Sequence, residues 1–129
     1  MSEPTFPIIY HVDDSPVDQL IIKKMIEREA PHLSMHQFPS VPKIMSALLA
    51  RDRPMPHLLI VNLHLPQTMG WELIEAIEEF EVFPVKVVIV TSSIILADRQ
   101  RARRYSVVSD FKTKPLSKGD VHDLLAYIP

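Results

Sequence analysis

The sequence predicts an α/β protein: one doubly wound, five-stranded parallel sheet with helices on both faces, in three α/β/α layers. Three observations predict it. Short apolar runs alternate with longer amphipathic stretches five times in 129 residues, the pattern that parallel strands with crossover helices produce. Two of the runs, Leu58-Leu59-Ile60-Val61 and Val85-Lys86-Val87-Val88-Ile89-Val90, are almost wholly apolar, as strands covered on both faces are. The length suits one domain, and no repeat or low-complexity stretch divides it. A single domain over 1–129 is therefore expected.

The elements follow in order. Pro7-Ile8-Ile9-Tyr10-His11-Val12 reads as the first strand and stops at Asp13-Asp14-Ser15-Pro16. Ser15 is a natural N-cap, Pro16 fits the first helical position, and Asp18 sits where a capping carboxylate helps. Val17, Leu20, Ile21, Met25 and Ile26 supply the apolar spacing of that helix, which Ala30-Pro31 ends. Leu33 to Phe38 is a weaker second strand. Ser40 can cap a short helix carrying Ile44, Met45, Leu48 and Leu49, and Arg53-Pro54-Met55-Pro56 is a loop. The buried run from Leu58 enters the loop Asn62-Leu63-His64-Leu65-Pro66 and Gly70. A third helix, Trp71 to Phe80, aligns Trp71, Ile74, Ile77 and Phe80. The run from Val85 ends at Thr91-Ser92-Ser93. A fourth helix covers Ile94 to Tyr105, a fifth strand Val107 to Phe111, and Ser117 caps a last helix through Val121, Leu124, Leu125 and Ile128.

Composition excludes several chemistries. There are 2 Gly, 12 Pro and no Cys. Gly70 and Gly119 are too far apart for a dinucleotide fingerprint, a P-loop or a nucleophile elbow. Without cysteine there are no disulfides, thiol nucleophiles or cysteine metal sites. The formal net charge of −2 gives no electrostatic reason to expect nucleic acid or an anionic membrane as partner. No apolar run approaches the ~20 residues of a membrane span, and Met1-Ser2-Glu3-Pro4 does not open a secretory signal. A cytoplasmic protein is the simplest expectation.

Open α/β sheets bind ligands at the carboxyl ends of their strands. Those ends carry Asp13 and Asp14, Asn62, Thr91 and, just beyond, Lys114. Adjacent carboxylates with an ammonium and a hydroxyl suit a hard divalent cation beside a phosphoryl group. The plainer alternatives are helix-terminus electrostatics for Asp13-Asp14, a β-branched strand end for Thr91, a solvated Lys114 and a turn residue at 62.

Four fragments in this order resemble the receiver domain of two-component response regulators, over the whole chain. They are His11-Val12-Asp13-Asp14-Ser15-Pro16, Leu58 through Glu72, Val88-Ile89-Val90-Thr91-Ser92, and Phe111-Lys112-Thr113-Lys114-Pro115-Leu116. The resemblance implies a flavodoxin-like (βα)5 fold acting in phosphorelay signalling through protein contacts. It implies no enzyme activity and no output domain within 1–129. It makes Asp14 a direct Mg²⁺ ligand and Asp13 a ligand through water, with residue 62, here Asn62, and the backbone carbonyl of His64 completing the metal set. It makes Thr91 and Lys114 the phosphoryl-contacting pair and Phe111 the switching aromatic. A histidine kinase or another signalling protein would be the partner.

Residue 62 departs from that pattern. The family's phosphoacceptor aspartate falls on Asn62, which predicts a pseudo-receiver that works without phosphorylation. Two carboxylates and one lysine give the rim a charge of −1 against the family's −2, so weaker Mg²⁺ binding is expected. Two other readings compete: an ordinary switch whose Asn62 is an engineered or deamidated aspartate, and a small α/β phosphatase or flavin protein. The last is disfavoured because no Gly-rich or Ser/Thr-rich phosphate loop follows the first strand.

Arginines 99, 101, 103 and 104 crowd the fourth helix. Arg99 and Arg103 share a face and could meet Asp120 and Asp123 across a twofold axis, a homodimer through the fourth helix, fifth strand and fifth helix. His11 reads as a hydrogen-bonded core histidine. The His64 side chain reads as solvated.

Overall fold

The computed structural model describes residues 7–50, 55–65, 68–80 and 85–128, with the Phe80 side chain left aside. The loop positions Arg53, Pro54 and Pro66 and the packing of Phe80 lie outside the described residues. Five βα units run in chain order: β1 (Ile8–Val12), α1 (Pro16–Glu29), β2 (Ser34–Phe38), α2 (Val41–Ala50), β3 (Leu58–Val61), α3 (Gly70–Phe80), β4 (Lys86–Thr91), α4 (Leu96–Ala102), β5 (Val108–Thr113) and α5 (Lys118–Leu125). The strands form one sheet in the order β2-β1-β3-β4-β5, every pair parallel. The topology switches at β1, which places a crevice between the carboxyl ends of β1 and β3.

Period-two alternation sorts the core into two clusters. Leu58 and Ile60 of β3 pack with Ile9, Val88, Val90, Ile22, Ile26, Val121 and Leu124 on the α1/α5 face. Leu59 and Val61 pack with Tyr10, Val12, Ile44, Leu48, Ile74, Ile77 and Ile89 on the other face. Each such fully buried aliphatic is worth about 1.5–3 kcal/mol, so β3 and β4 anchor the sheet that carries the rim.

Three sequence expectations change. The buried stripe of α1 is Ile22 and Ile26, whereas Val17, Leu20 and Ile21 are 65%, 55% and 50% exposed. The inward side of the first turns is instead polar: Gln19 donates from Nε2 to the backbone oxygens of Asp13 (2.6 Å) and Phe38 (3.1 Å). Helix α4 is shorter than Ile94 to Tyr105, because Ser93 Oγ accepts the Ile95 N–H and the chain leaves the helix through an Ala102–Tyr105 turn. Strand β5 begins at Val108 and reaches Thr113, with a bulge: Val87 pairs with Val108 but Val88 with Asp110. The extra residue is Ser109.

The two glycines have different reasons. A Cβ on Gly70 would meet the Asn62 carbonyl oxygen well inside contact distance and Val61 Cγ1 at 2.9 Å. The Gly70 N–H closes the same loop onto Leu63 O at 2.9 Å. A Cβ on Gly119 would meet only Ser117 Oγ at 3.6 Å, ordinary contact.

Candidate functional site

Backbone hydrogen bonds carry the sheet ladder one residue past the strand ends. The Asp13 N–H donates to Phe38 O (3.0 Å), the Asn62 N–H to Val12 O (3.1 Å) and the Lys114 N–H to Thr91 O (2.8 Å). Asp13, Asn62 and Lys114 therefore stand on one rim, as the strand-end reading expects.

Asp13 is fully buried and ringed by donors. Its Oδ1 accepts from the Ser15 N–H at 3.0 Å and from Asn62 Nδ2 at 3.5 Å. Its Oδ2 accepts from Lys114 Nζ at 2.7 Å. His11 brings a fourth donor. Gln37 Nε2 donates to Gln19 O (2.7 Å) and to His11 Nδ1 (3.1 Å), so Nδ1 is the acceptor and Nε2 carries the hydrogen. That Nε2 is buried without a partner, 3.8 Å from Asp13 Oδ2. Burial, helped by the Lys114 charge, pushes the His11 pKa down to about 3. The ring is neutral and the contact is not an ion pair.

Lys114 Nζ also reaches Asp18 Oδ2 at 2.9 Å. Burial works against the ammonium, but hydrogen bonds to both carboxylates, with their charges, outweigh it and raise its pKa. Asp18, which local sequence pattern marks only as a cap, belongs to the rim. Its N–H does bond Ser15 Oγ (3.2 Å), but its carboxylate turns to Lys114. The charge count changes accordingly. Three carboxylates, Asp13, Asp14 and Asp18, share the rim with Lys114, giving −2 rather than −1. Nothing in the sequence distinguishes a capping Asp from one that reaches across to Lys114.

The Asn62 side chain adds a further constraint. Its Nδ2 donates to His64 O (3.2 Å) as well as toward Asp13. Both neighbours are acceptors only, so the NH₂ end faces them. The oxygens expected to hold Mg²⁺, one on Asp13 and one on the His64 backbone, thus already accept from internal donors. Asp14 is exposed and has no hydrogen bond or ion pair among the described residues. A hard cation needs free oxygens around it; of Asp13, Asp14 and His64 O only Asp14 presents them clear of an internal donor, and Asp13 and His64 O do not fit a cation while Lys114 and Asn62 hold them.

Thr91 is buried, and its hydroxyl accepts from the Ser93 N–H (3.2 Å). Only its backbone touches Lys114. The His64 side chain is half exposed and lies 3.8 Å from Asp98 Oδ2, which also accepts from Ser93 Oγ at 2.6 Å. On the far side of α4, the Arg99 guanidinium sits 4.8 Å from the Phe111 ring centre and donates to Thr113 Oγ1 at 3.1 Å. Arg99 and Arg103 line a cleft of about 240 Å³ with Phe111. The acids assigned to a twofold contact have partners in the same chain. Asp123 pairs with Lys112 at 2.7 Å, and Asp120 closes a capping box with Ser117 and lies 3.8 Å from Lys112. Beside the rim, Ile21, Ile22, Met25, Pro115 and Leu116 line an apolar groove of about 280 Å³ with Asp18 and Lys114 among its walls.

Comparison with known proteins agrees with this architecture. Residues 9–126 match the response regulator receiver domain family. An uncharacterized 14.6 kDa protein from the sodA1 3' region of Leptolyngbya boryana is 31% identical over 108 residues, covering 81% of this chain and 76% of that protein. The bacteriophytochrome response regulator AtBRR superposes with a TM-score of 0.82 at 20% identity, covering 97% of this chain and 94% of that one. The phosphorylated cyanobacterial phytochrome response regulator RcpA superposes with a TM-score of 0.77 at 19% identity, covering 94% and 89%. No helix among the described residues is long and apolar enough to cross a membrane. A flavodoxin-like sheet, a strand-end rim of Asp13, Asn62 and Lys114, and a family match over nearly the whole length lead to one conclusion: the chain belongs to the response regulator receiver domain family of two-component signalling.

Proposed function

We propose that this chain is a pseudo-receiver, a receiver domain that signals through protein contacts without phosphorylation of residue 62. One observation carries the reading. The side chain at the acceptor position is the carboxamide of Asn62, and its NH₂ end is engaged by His64 O and Asp13. Forming an acyl phosphate requires a carboxylate oxygen that attacks phosphorus; an uncharged amide offers none.

The partner in this reading is a histidine kinase or another signalling protein. Exposed Val17, Leu20 and Ile21 on α1, continuous with the apolar groove at Pro115 and Leu116, favour a partner that presents an apolar face. Such contiguous exposed aliphatics mark protein contacts. The chain itself carries no enzyme activity.

The test is direct. The unaltered chain and Asn62→Asp are incubated with Mg²⁺ and a small acyl phosphate, and intact masses are taken. A phosphoryl mass on Asn62→Asp alone supports the reading; the same mass on the unaltered chain ends it.

A further inference from the structure

We propose that Lys114 is the resident cation of the Asp13 carboxylate, held there by Asp18 as a positioning residue, so that the rim does not take up a divalent metal. This deepens the reading of Asn62 as a non-accepting position and rests on it, but concerns different chemistry: cation binding rather than phosphoryl transfer.

The geometry carries it. Asp13 is fully buried and accepts from three donors, the Ser15 N–H, the Asn62 amide and the Lys114 ammonium, with the unpartnered His11 Nε2 a further 3.8 Å away. The buried carboxylate needs a positive partner, because an unpaired buried charge is costly. That partner is intramolecular: Nζ lies 2.7 Å from Asp13 and 2.9 Å from Asp18. Two carboxylates hold one ammonium, which leaves the lysine little freedom to withdraw. The third would-be ligand, His64 O, is taken by Asn62 at 3.2 Å. A metal would have to displace an ammonium and an amide, and would leave the orphaned His11 donor facing a cation. Charge alone points the other way, since three carboxylates against one lysine favour cations. The deciding factor is that both carboxylate oxygens of Asp13, and His64 O, already accept from donors that belong to the chain.

The probe is Mn²⁺ alone, added to the isotopically labelled full chain and read by paramagnetic broadening of backbone amide signals. No saturable broadening at Asp13, Asn62 and His64 is expected in the unaltered chain. Lys114→Met strips Asp13 and Asp18 of their internal counter-charge, and saturable broadening should then appear at least about tenfold below any Mn²⁺ concentration that affects the unaltered chain. Asp18→Asn should speed solvent exchange of the Lys114 ammonium hydrogens, a readout that a merely structural role for Asp18 would not move. Saturable Mn²⁺ uptake at Asp13 in the unaltered chain overturns the proposal, and so does a folded Lys114→Met that binds no better. The unaltered-chain arm decides the matter even if the variant does not fold. Mn²⁺ uptake without a phosphoryl mass would sink this inference and leave the pseudo-receiver reading standing.

Discussion

Two helices of this protein start with the same four-residue pattern, Ser-x-x-Asp, and use it differently. At α5, Ser117 and Asp120 form a closed capping box: the Asp120 N–H donates to Ser117 Oγ at 3.0 Å, and the Ser117 N–H donates to Asp120 Oδ2 at 2.8 Å. The backbone bond from Ser117 holds the Asp120 carboxyl below the usual range. At α1 the box is opened. Ser15 Oγ still accepts the Asp18 N–H, but the Ser15 N–H turns to Asp13 and the Asp18 carboxylate turns to Lys114. Both helices keep the N-cap bond to the serine hydroxyl. What differs is that the α1 cap is spliced into the rim, linking β1, α1, the β3–α3 loop and the segment after β5. A local motif has become a long-range one.

Substitutions can break or sharpen that contrast. The largest effect belongs to Asp13→Ala. It removes the buried acceptor shared by the Lys114 ammonium, the Asn62 amide and the Ser15 N–H, leaving the first two with Asp18 and His64 O alone, and denaturant unfolding should show a loss of about 3 kcal/mol. The next concerns His11. Its folded pKa of about 3 lies below the unfolded value, so the unfolded chain binds the extra proton between about pH 6.5 and 3. Stability from this group is therefore complete above pH 6.5 and declines as the pH falls. From pH 7.5 to 5 the unaltered chain should lose about 2 kcal/mol that His11→Leu keeps. Parallel curves for the two proteins would contradict the buried neutral ring.

The caps come next. Asp18→Ala should cost about 1–2 kcal/mol, the value of a charge-assisted hydrogen bond reduced for partial exposure. Asp120→Ala should cost about 0.5–1 kcal/mol, the value of a local cap. Equal losses in thermal melts would erase the distinction between the two boxes. The glycines give a pair of opposite sign, which ends on the smallest effect. Gly70→Ala should lose about 1–3 kcal/mol because its Cβ collides with the Asn62 carbonyl. Gly119→Ala, whose Cβ would make only ordinary contact with Ser117 Oγ at 3.6 Å, should gain about 0.5 kcal/mol.

Much of this was legible in the sequence for identifiable reasons. The apolar runs at Leu58 and Val87 announced strands because both sheet faces are covered, and Ser15-Pro16 and Ser117 announced helix starts because their chemistry is local. Asp13, Asn62 and Lys114 were found because strand ends in this topology converge. The errors lie where tertiary contact overrides local pattern. The aliphatics Val17, Leu20 and Ile21 stay exposed while Ile22, Met25 and Ile26 pack, and Gln19 takes the inward position of the first turns to satisfy the backbone at Asp13 and Phe38. Asp18 looked like a cap because periodicity carries no information about a lysine 96 residues away. The bulge at Ser109 has no glycine or proline to mark it.

The most direct measurement is a backbone amide spectrum of the unaltered chain, recorded before and after adding Mg²⁺ with a small acyl phosphate. A rim closed by its own donors should leave the signals of Asp13, Asn62, Thr91, Phe111 and Lys114 where they were. Movement of those signals together, appearing with the acyl phosphate and reversing as it is consumed, would show a working phospho-switch and contradict the closed rim.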